Sequence, residues 1–233
     1  MKYWSLDTED SVAVLTFTPP PSNLLSLAAM TELADALDDL AIPRGEVTVV
    51  VLTGGVDGFL ADADRDELAL LAAGEPVEGD PGAWFRALST LESMPQPTVA
   101  AMDGQVGGGG FATALACTLR IGSERTSLGP LEVDLGIVGS DSARRLVRVL
   151  GPAVSAELLL TGRMVQADEA RRIGLLNDAV PAEGFRDHVR EWCGRITGHP
   201  PATVFAAKRA VVDGLSVVRD EVLTIANSFR WLS

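Results

Sequence analysis

A run of glycines is the feature of this sequence that points most directly to chemistry. The stretch DGQVGGGG spans Asp103 to Gly110, follows an apolar segment with strand character and precedes the helical pattern FATALAC. Amides without side chains would point at whatever lies at the N-terminus of that helix, so the turn is a candidate anion or oxyanion site. When the glycine run is considered by itself, a tight strand-to-helix turn that serves only close packing explains it about as well as an anion site does.

The glycine run does not fit the common phosphate-binding motifs. No Lys-Ser or Lys-Thr pair follows it, as a P-loop requires, and no acidic residue ends a following strand in a 30-residue unit, as dinucleotide binding requires. Both nucleotide-binding interpretations are therefore disfavoured.

The elements around this turn alternate between strand and helix. Between the first two strands, apolar residues at helical spacing predict a helix that Ser26 caps and that ends before Pro43. Four short apolar runs predict strands: Val12–Phe17, Val47–Thr53 (buried on both faces), Thr98–Met102 and Leu119–Ser123. The alternation predicts an α/β domain with a largely parallel sheet.

From about Ser142 onward the pattern becomes helical. Three helices are each expected to end at a glycine in the left-handed conformation, Gly151, Gly162 or Gly174, and helices at 185–196, 202–212 and 217–231 follow. We predict an α/β core over residues 1–175 and a helical region over 176–233 that packs on a neighbouring subunit. The basic face formed by Arg144, Arg145 and Arg148 is expected to be solvated or to face a subunit.

Composition limits the classes of partner. The 233 residues are 47% hydrophobic and carry a net charge of −13, which disfavours nucleic acid and anionic membrane surfaces. Cys117 and Cys193 are too few for a disulfide scaffold and lack metal-ligand spacing. No signal peptide or membrane span is apparent. These features predict a cytoplasmic protein with no metal, and with ordinary surface or packing roles for His188 and His199.

Seven segments together carry a family resemblance. The resemblance extends over roughly residues 12 to 212, and the segments are NLLS, VVVLTGG, FLADAD, PTVAAMDGQVGGGGFATALACTLRI, LEVDLGI, LLTGRMVQADEARRIGLLNDAVP and PPATVFAAKRAV. In this order and spacing they resemble the crotonase (enoyl-CoA hydratase/isomerase) superfamily. The resemblance implies a spiral of ββα units with a C-terminal helical oligomerisation region, assembly as a trimer or hexamer, and an acyl-CoA thioester substrate with no cofactor beyond its coenzyme A.

The resemblance also implies where the thioester binds. The backbone N–H groups of Ala63 and Gly109 would form an oxyanion hole that stabilises the enolate of the thioester. Hydratases of the family hold two glutamates around the substrate; the first position is Ala112 here, and the second is Glu132. A single carboxylate can move a proton between two carbons, whereas adding water usually needs two acidic groups. These positions favour isomerisation with Glu132 as base.

Asp141 is a second candidate acid, similar to an Asp of the dienoyl-CoA isomerases, although capping a helix over Ser142–Leu150 is its simpler interpretation.

Asp62 stands where the family's FxAGAD turn has Gly. It places a charge near the oxyanion hole, and its backbone is expected at positive φ.

Contacts to the CoA moiety are implied for Ala61, Asp62 and Gly108, and Arg65 and either Lys208 or Arg209 are candidate phosphate ligands. Surface charge alone explains those three basic residues equally well. Hydration with a second carboxylate, and acyl-CoA binding without chemistry, stay open as alternative functions.

Overall fold

The computed structural model describes residues 1–18, 23–42, 45–55, 58–131, 133 and 140–214. Its largest sheet has six strands in the order β1-β2-β4-β6-β8-β11. Their bounds are β1 Trp4–Glu9, β2 Val12–Phe17, β4 Val49–Gly54, β6 Thr98–Met102, β8 Leu119–Ser123 and β11 Asp178–Val180. Within this sheet β1 and β2 pair antiparallel, and each of the other four strand pairs is parallel. The predicted α/β class with a largely parallel sheet is confirmed.

The burial of the central strands follows from their sequences. β4 is apolar at nearly every position and is buried on both faces, whereas β2 alternates buried with half-buried residues. One face of the sheet packs on the main core, and the other packs on a smaller cluster that includes Phe185, Val189 and Cys193. Both cysteines are buried, and burial raises the pKa of the Cys117 thiol to about 12, so it packs as a small hydrophobic side chain.

Eight helices surround the sheet in the described part of the chain: α1 Leu27–Ala41, α2 Arg65–Ala72, α3 Ala83–Ser93, α4 Gly108–Ala116, α5 Ser140–Thr161, α6 Ala167–Arg172, α7 Phe185–Thr197 and α8 Pro201–Gly214. The predicted cap of α1 is present, because the Ser26 hydroxyl accepts from the Ala29 amide at 3.1 Å. α5 is two helical segments joined at Gly151 (φ 74°), and Gly162 and Gly174 also have positive φ, as predicted. None of the described helices is long and apolar enough to cross a bilayer.

Two small sheets lie beside the main one and shape the site. In the first, β7 Gln105–Gly107 pairs with β9 Ser127–Gly129, which pairs with β10 Val165–Gln166. In the second, β3 Leu24–Leu25 runs parallel to β5 Asp62–Ala63.

Some elements differ from the sequence-based expectation. The first strand, β1, follows no strict alternation and was not predicted; it forms because it pairs with β2 through all six of its residues. The edge strand β11 lies past residue 175 yet extends the main sheet by pairing with β8. Helix α5 begins at Ser140 rather than Ser142, so Asp141 lies inside the first turn and is not its N-cap. The helix predicted over 217–231 lies outside the described residues.

Candidate active site

The Ala63 amide is positioned by the short parallel pair β3 and β5. Asp62 and Ala63 pair with Leu24 and Leu25, and the Asp64 amide donates to the Leu25 carbonyl at 2.8 Å. The Asp64 carboxylate then caps α2, whose first amides need an acceptor. Strand pairing on one side and a capped helix on the other therefore fix the backbone direction at Ala63.

The Gly109 amide is positioned by the first turn of α4. The Gly107 amide donates to the Ala61 carbonyl at 2.7 Å, which ties the start of α4 to the segment that carries Ala63. A Cβ at Gly110 would lie 1.9 Å from the Leu60 carbonyl oxygen, so only glycine permits this close approach. The glycine run thus allows two backbone segments to meet, and the packing interpretation and the amide-site interpretation describe the same turn.

The two amides converge on one oxygen atom, and that atom belongs to Asp62. Asp62 Oδ1 accepts from the Ala63 amide at 2.7 Å and from the Gly109 amide at 3.1 Å. Its other oxygen, Oδ2, pairs with Arg65 at 3.1 Å. Because only 9% of Asp62 is exposed, the carboxylate depends on these donors rather than on water.

The backbone of Asp62 corrects one expectation. The described non-glycine residues with positive φ are Asp10, Ser11 and Asn23, and Asp62 instead lies in the strand β5. The side chain, and not the backbone, is therefore what distinguishes this position from the glycine of the family turn.

The carboxylates proposed for proton transfer are seen only in part. Glu132 lies outside the described residues, and so does the side chain of Asp141, although its backbone belongs to α5. Ala112 lies in α4, is 8% exposed and belongs to the main apolar cluster. The position at which a hydratase of the family keeps its first glutamate is therefore occupied by a buried methyl group.

The residues proposed to contact CoA have different surroundings. The Ala61 amide donates to the Asn23 carbonyl at 2.9 Å, and its carbonyl accepts from Gly107. Arg65 is half exposed beside Asp62, and Arg209 is 78% exposed and pairs with Asp213. Gly108, with φ 37°, lies next to the Asp62 carboxylate.

The expected phosphate contact at Lys208 does not fit the structure. Lys208 is 5% exposed, and its ammonium donates to the carbonyls of Leu91 at 3.1 Å and Gln96 at 2.8 Å. Burial lowers the pKa of Lys208 to about 8. The ammonium is committed to main-chain acceptors inside the protein, so it is not available to a phosphate.

The basic face of α5 also differs from expectation. Arg145 is buried, and its guanidinium and that of Arg144 both donate to the Glu92 carboxylate on α3. This face therefore joins two helices of the same chain rather than facing only solvent or another subunit.

Two features of the structure, one at the site and one on the edge strand β11, had no signal in the sequence pattern. The Trp84 ring lies against Gly109, where a Cβ would come within 2.5 Å of it, although the two residues are on different helices. The His188 Nε2–H group donates to the Asp178 carboxylate at 2.9 Å, and Arg171 and Trp192 also donate to that carboxylate. Burial raises the pKa of Asp178, but these hydrogen bonds outweigh it and hold the pKa below its ordinary value.

Two clefts are found elsewhere in the described part of the chain. One, of about 570 Å³, opens at the carboxyl ends of β4 and β6, and another, of about 320 Å³, lies between the sheet and α7. Neither is lined by Ala63 or Gly109. No group of His, Cys, Asp and Glu in the described residues is arranged to hold a metal ion.

Comparison with known proteins gives the class of this fold and site. Residues 7–229 match the family model described as enoyl-CoA hydratase/isomerase. A probable enoyl-CoA hydratase of Mycobacterium tuberculosis, EchA17, is 34% identical over 205 residues, which cover 87% of this chain and 77% of that protein. A crotonyl-CoA hydratase of Syntrophomonas wolfei is also 34% identical, over 94% of this chain and 85% of its own.

Solved structures agree with this result. The enoyl-CoA hydratase of Bacillus anthracis superposes with a TM-score of 0.86 at 31% identity and covers 97% of this chain and 88% of its own. The chain belongs to the enoyl-CoA hydratase/isomerase family, and the predicted crotonase superfamily and its fold are confirmed. It is an acyl-CoA-processing member of that family.

Proposed function

We propose that this protein moves the double bond of an enoyl-CoA thioester, with Glu132 as the base and the Ala63 and Gly109 amides as the oxyanion hole. The observation that carries the proposal is that the two N–H groups meet at one oxygen atom, with N···O distances of 2.7 and 3.1 Å. These are the distances at which paired donors stabilise an oxyanion.

The proposed reaction moves one proton and consumes no water. Glu132 removes a proton from the carbon between the carbonyl and the double bond, and the electrons of that C–H bond flow through the carbonyl to its oxygen. The resulting dienolate oxygen lies against the two amides. When the proton is returned to the far end of the dienolate, the carbonyl forms again and the double bond is conjugated with it. One carboxylate suffices for both transfers.

The residue at position 112 supports isomerisation over hydration. A hydratase positions and activates water with a second carboxylate, and the buried methyl group of Ala112 can neither accept nor donate a proton. The Ala63 and Gly109 amides serve either reaction, because both pass through an enolate.

Hydration is the second candidate, and the names of the relatives favour it. The proteins from M. tuberculosis and S. wolfei are both named hydratases. In this chain Asp141 would supply the second carboxylate. Binding of an acyl-CoA without turnover is the third candidate, favoured by Asp62 and Ala112 together.

The setting of the reaction is also a proposal. We expect a cytoplasmic homotrimer or hexamer that uses no metal and no cofactor other than the CoA of its substrate. The family fold supports the oligomer, and the two unpaired, buried cysteines are compatible with a reducing compartment.

Replacement of the proposed base tests the leading function. Glu132→Gln should reduce conversion of a 3-enoyl-CoA to the 2-enoyl-CoA by at least about 10²-fold, the lower end of what positioned acid–base groups contribute. The affinity for the thioester should stay within about twofold. Glu191→Gln makes the same chemical change on the exposed face of α7 and should leave the rate unchanged.

Two outcomes would count against isomerisation. Full activity of the Glu132→Gln protein would remove the base assignment. Incorporation of heavy oxygen from labelled water into the product would instead identify hydration, because double-bond migration takes no oxygen from solvent.

A further inference from the structure

We infer that the Asp62 carboxylate is a built-in competitor of the thioester oxygen, which must be displaced before an acyl-CoA can use the two amides. This autoinhibitory contact rests on the proposed role of the Ala63 and Gly109 amides as the oxyanion hole. Asp62 Oδ1 takes both of their hydrogen bonds, so a thioester oxygen and this carboxylate cannot occupy the site together.

The surroundings of the carboxylate hold it in this position. Arg65 binds Oδ2 at 3.1 Å, and strand pairing with Leu24 fixes the backbone of Asp62. A Cβ at Gly108 would lie 2.0 Å from Asp62 Oδ1, so the glycine leaves the space that the carboxylate fills. The contact therefore uses three separate features of the chain: a strand, a neighbouring cation and a residue without a side chain.

The competition is unequal in the ground state. A carboxylate is a charged acceptor, and its hydrogen bonds are roughly twice as strong as those of a neutral carbonyl oxygen. The thioester oxygen gains charge only as the enolate forms. Asp62 therefore weakens the binding of the substrate, and a carboxylate that stays nearby also opposes the developing negative charge.

Arg65 offers the carboxylate a position outside the site. The Arg65 side chain is 50% exposed, whereas that of Asp62 is 12% exposed, so the ion pair reaches from the buried amides toward solvent. Rotation of the Asp62 side chain toward solvent would free both amides, and the exposed Arg65 side chain can follow the carboxylate and keep it paired.

Binding of acetoacetyl-CoA tests the inference without requiring turnover. Its β-keto thioester forms an enolate with its own ultraviolet absorption, so both affinity and enolate formation are measurable. The Asp62→Gly protein should bind acetoacetyl-CoA at least about tenfold more tightly than the natural chain. The natural chain must first break the charge-assisted hydrogen bonds of the Asp62 carboxylate, and the variant has none to break. Asp62→Asn, a neutral and weaker acceptor of the same size, should fall between the two.

Controls separate this effect from a change in charge or in folding. Asp66→Asn removes one negative charge from the exposed face of α2 and should bind as the natural chain does. Thermal melts of Asp62→Gly and Asp62→Ala show whether the pair β3 and β5 stays folded. Asp62→Ala removes the carboxylate without adding backbone freedom, so it should also bind more tightly.

The outcomes distinguish this inference from the proposed reaction. Equal or weaker binding by folded Asp62→Gly and Asp62→Ala, or an equal gain by Asp66→Asn, would overturn the competitor role, and isomerase activity of the natural chain would still stand. Tighter binding with stronger enolate absorption supports the competitor role, even if no double-bond migration is found.

Discussion

The buried ammonium of Lys208 gives a stability prediction whose sign and size both follow from its surroundings. The Nζ atom lies between the C-terminal end of α3 and the segment that precedes β6, and it donates to the Leu91 and Gln96 carbonyls. Burial lowers its pKa from 10.5 to about 8. In the unfolded chain the same group is hydrated and keeps its ordinary pKa.

The sign follows from counting protons. Between pH 8 and pH 10.5 the unfolded chain holds the Lys208 proton and the folded chain has lost it, so the free energy of unfolding rises with pH in this window. One pKa unit corresponds to about 1.4 kcal/mol. The contribution of Lys208 to the free energy of unfolding should therefore rise by about 2.5 kcal/mol between pH 7 and pH 10.

Lys208→Met isolates this contribution, because methionine keeps an unbranched apolar stem and does not titrate. Urea unfolding of both proteins at pH 7, 8, 9 and 10, followed by tryptophan fluorescence, gives the difference in free energy of unfolding at each pH. That difference should grow by about 2.5 kcal/mol in favour of the natural chain as the pH rises. A difference that stays constant to within about 0.5 kcal/mol would refute a buried ammonium with a lowered pKa.

Lys2 provides the matched control, because it is the one other lysine of the chain. It is exposed, and the Tyr3 hydroxyl beside it raises its pKa above the ordinary value. It therefore titrates above the pH range compared. Lys2→Met should leave the pH dependence of the free energy of unfolding unchanged between pH 7 and pH 10.

Two further predictions concern stability away from Lys208. The pKa of Asp178 is held below its ordinary value of 3.8, so the stabilisation that its carboxylate gives the folded state is present above pH 3.8 and is lost as the pH falls through the folded pKa. Asp178→Asn should therefore make the free energy of unfolding less dependent on pH in that range. It should also lower stability at pH 7 by about 1–2 kcal/mol. The same fall in the free energy of unfolding with decreasing pH in both proteins would contradict this. Gly110→Ala should destabilise the protein by about 1–3 kcal/mol, because the added Cβ would meet the Leu60 carbonyl. Gly194→Ala has open space around it in α7 and should stabilise the protein by about 0.5–1 kcal/mol. Chemical denaturation measures both changes. Equal effects at the two glycines would contradict the packing argument.

The sequence carried enough information to predict the class of this protein. The central strands, the capped helix after Ser26 and the left-handed glycines depend on neighbours within a few residues, and all are present. The ordered series of motifs predicted the family, which the comparisons confirm. It also indicated that Asp62 departs from the family at the turn before Ala63.

The consequence of Asp62 could not be predicted, because it depends on an amide 47 positions away in the chain. The sequence pattern suggested an unusual backbone at this residue, and the structure shows ordinary strand geometry with the carboxylate turned into the amide pair. Lys208 is similar: exposed basic residues and buried ones look alike in sequence, and its acceptors lie 112 and 117 positions away.

The sequence by itself determined the central strands, the capped helix α1, the glycine turn and the absence of a carboxylate at Ala112, because periodicity, capping and backbone freedom are local properties. Only the tertiary structure decided what the turn faces. Contacts between distant segments arise from the packing of the whole chain, and that packing brings Asp62 Oδ1 to the amides of Ala63 and Gly109. The same packing buries Lys208 away from any phosphate.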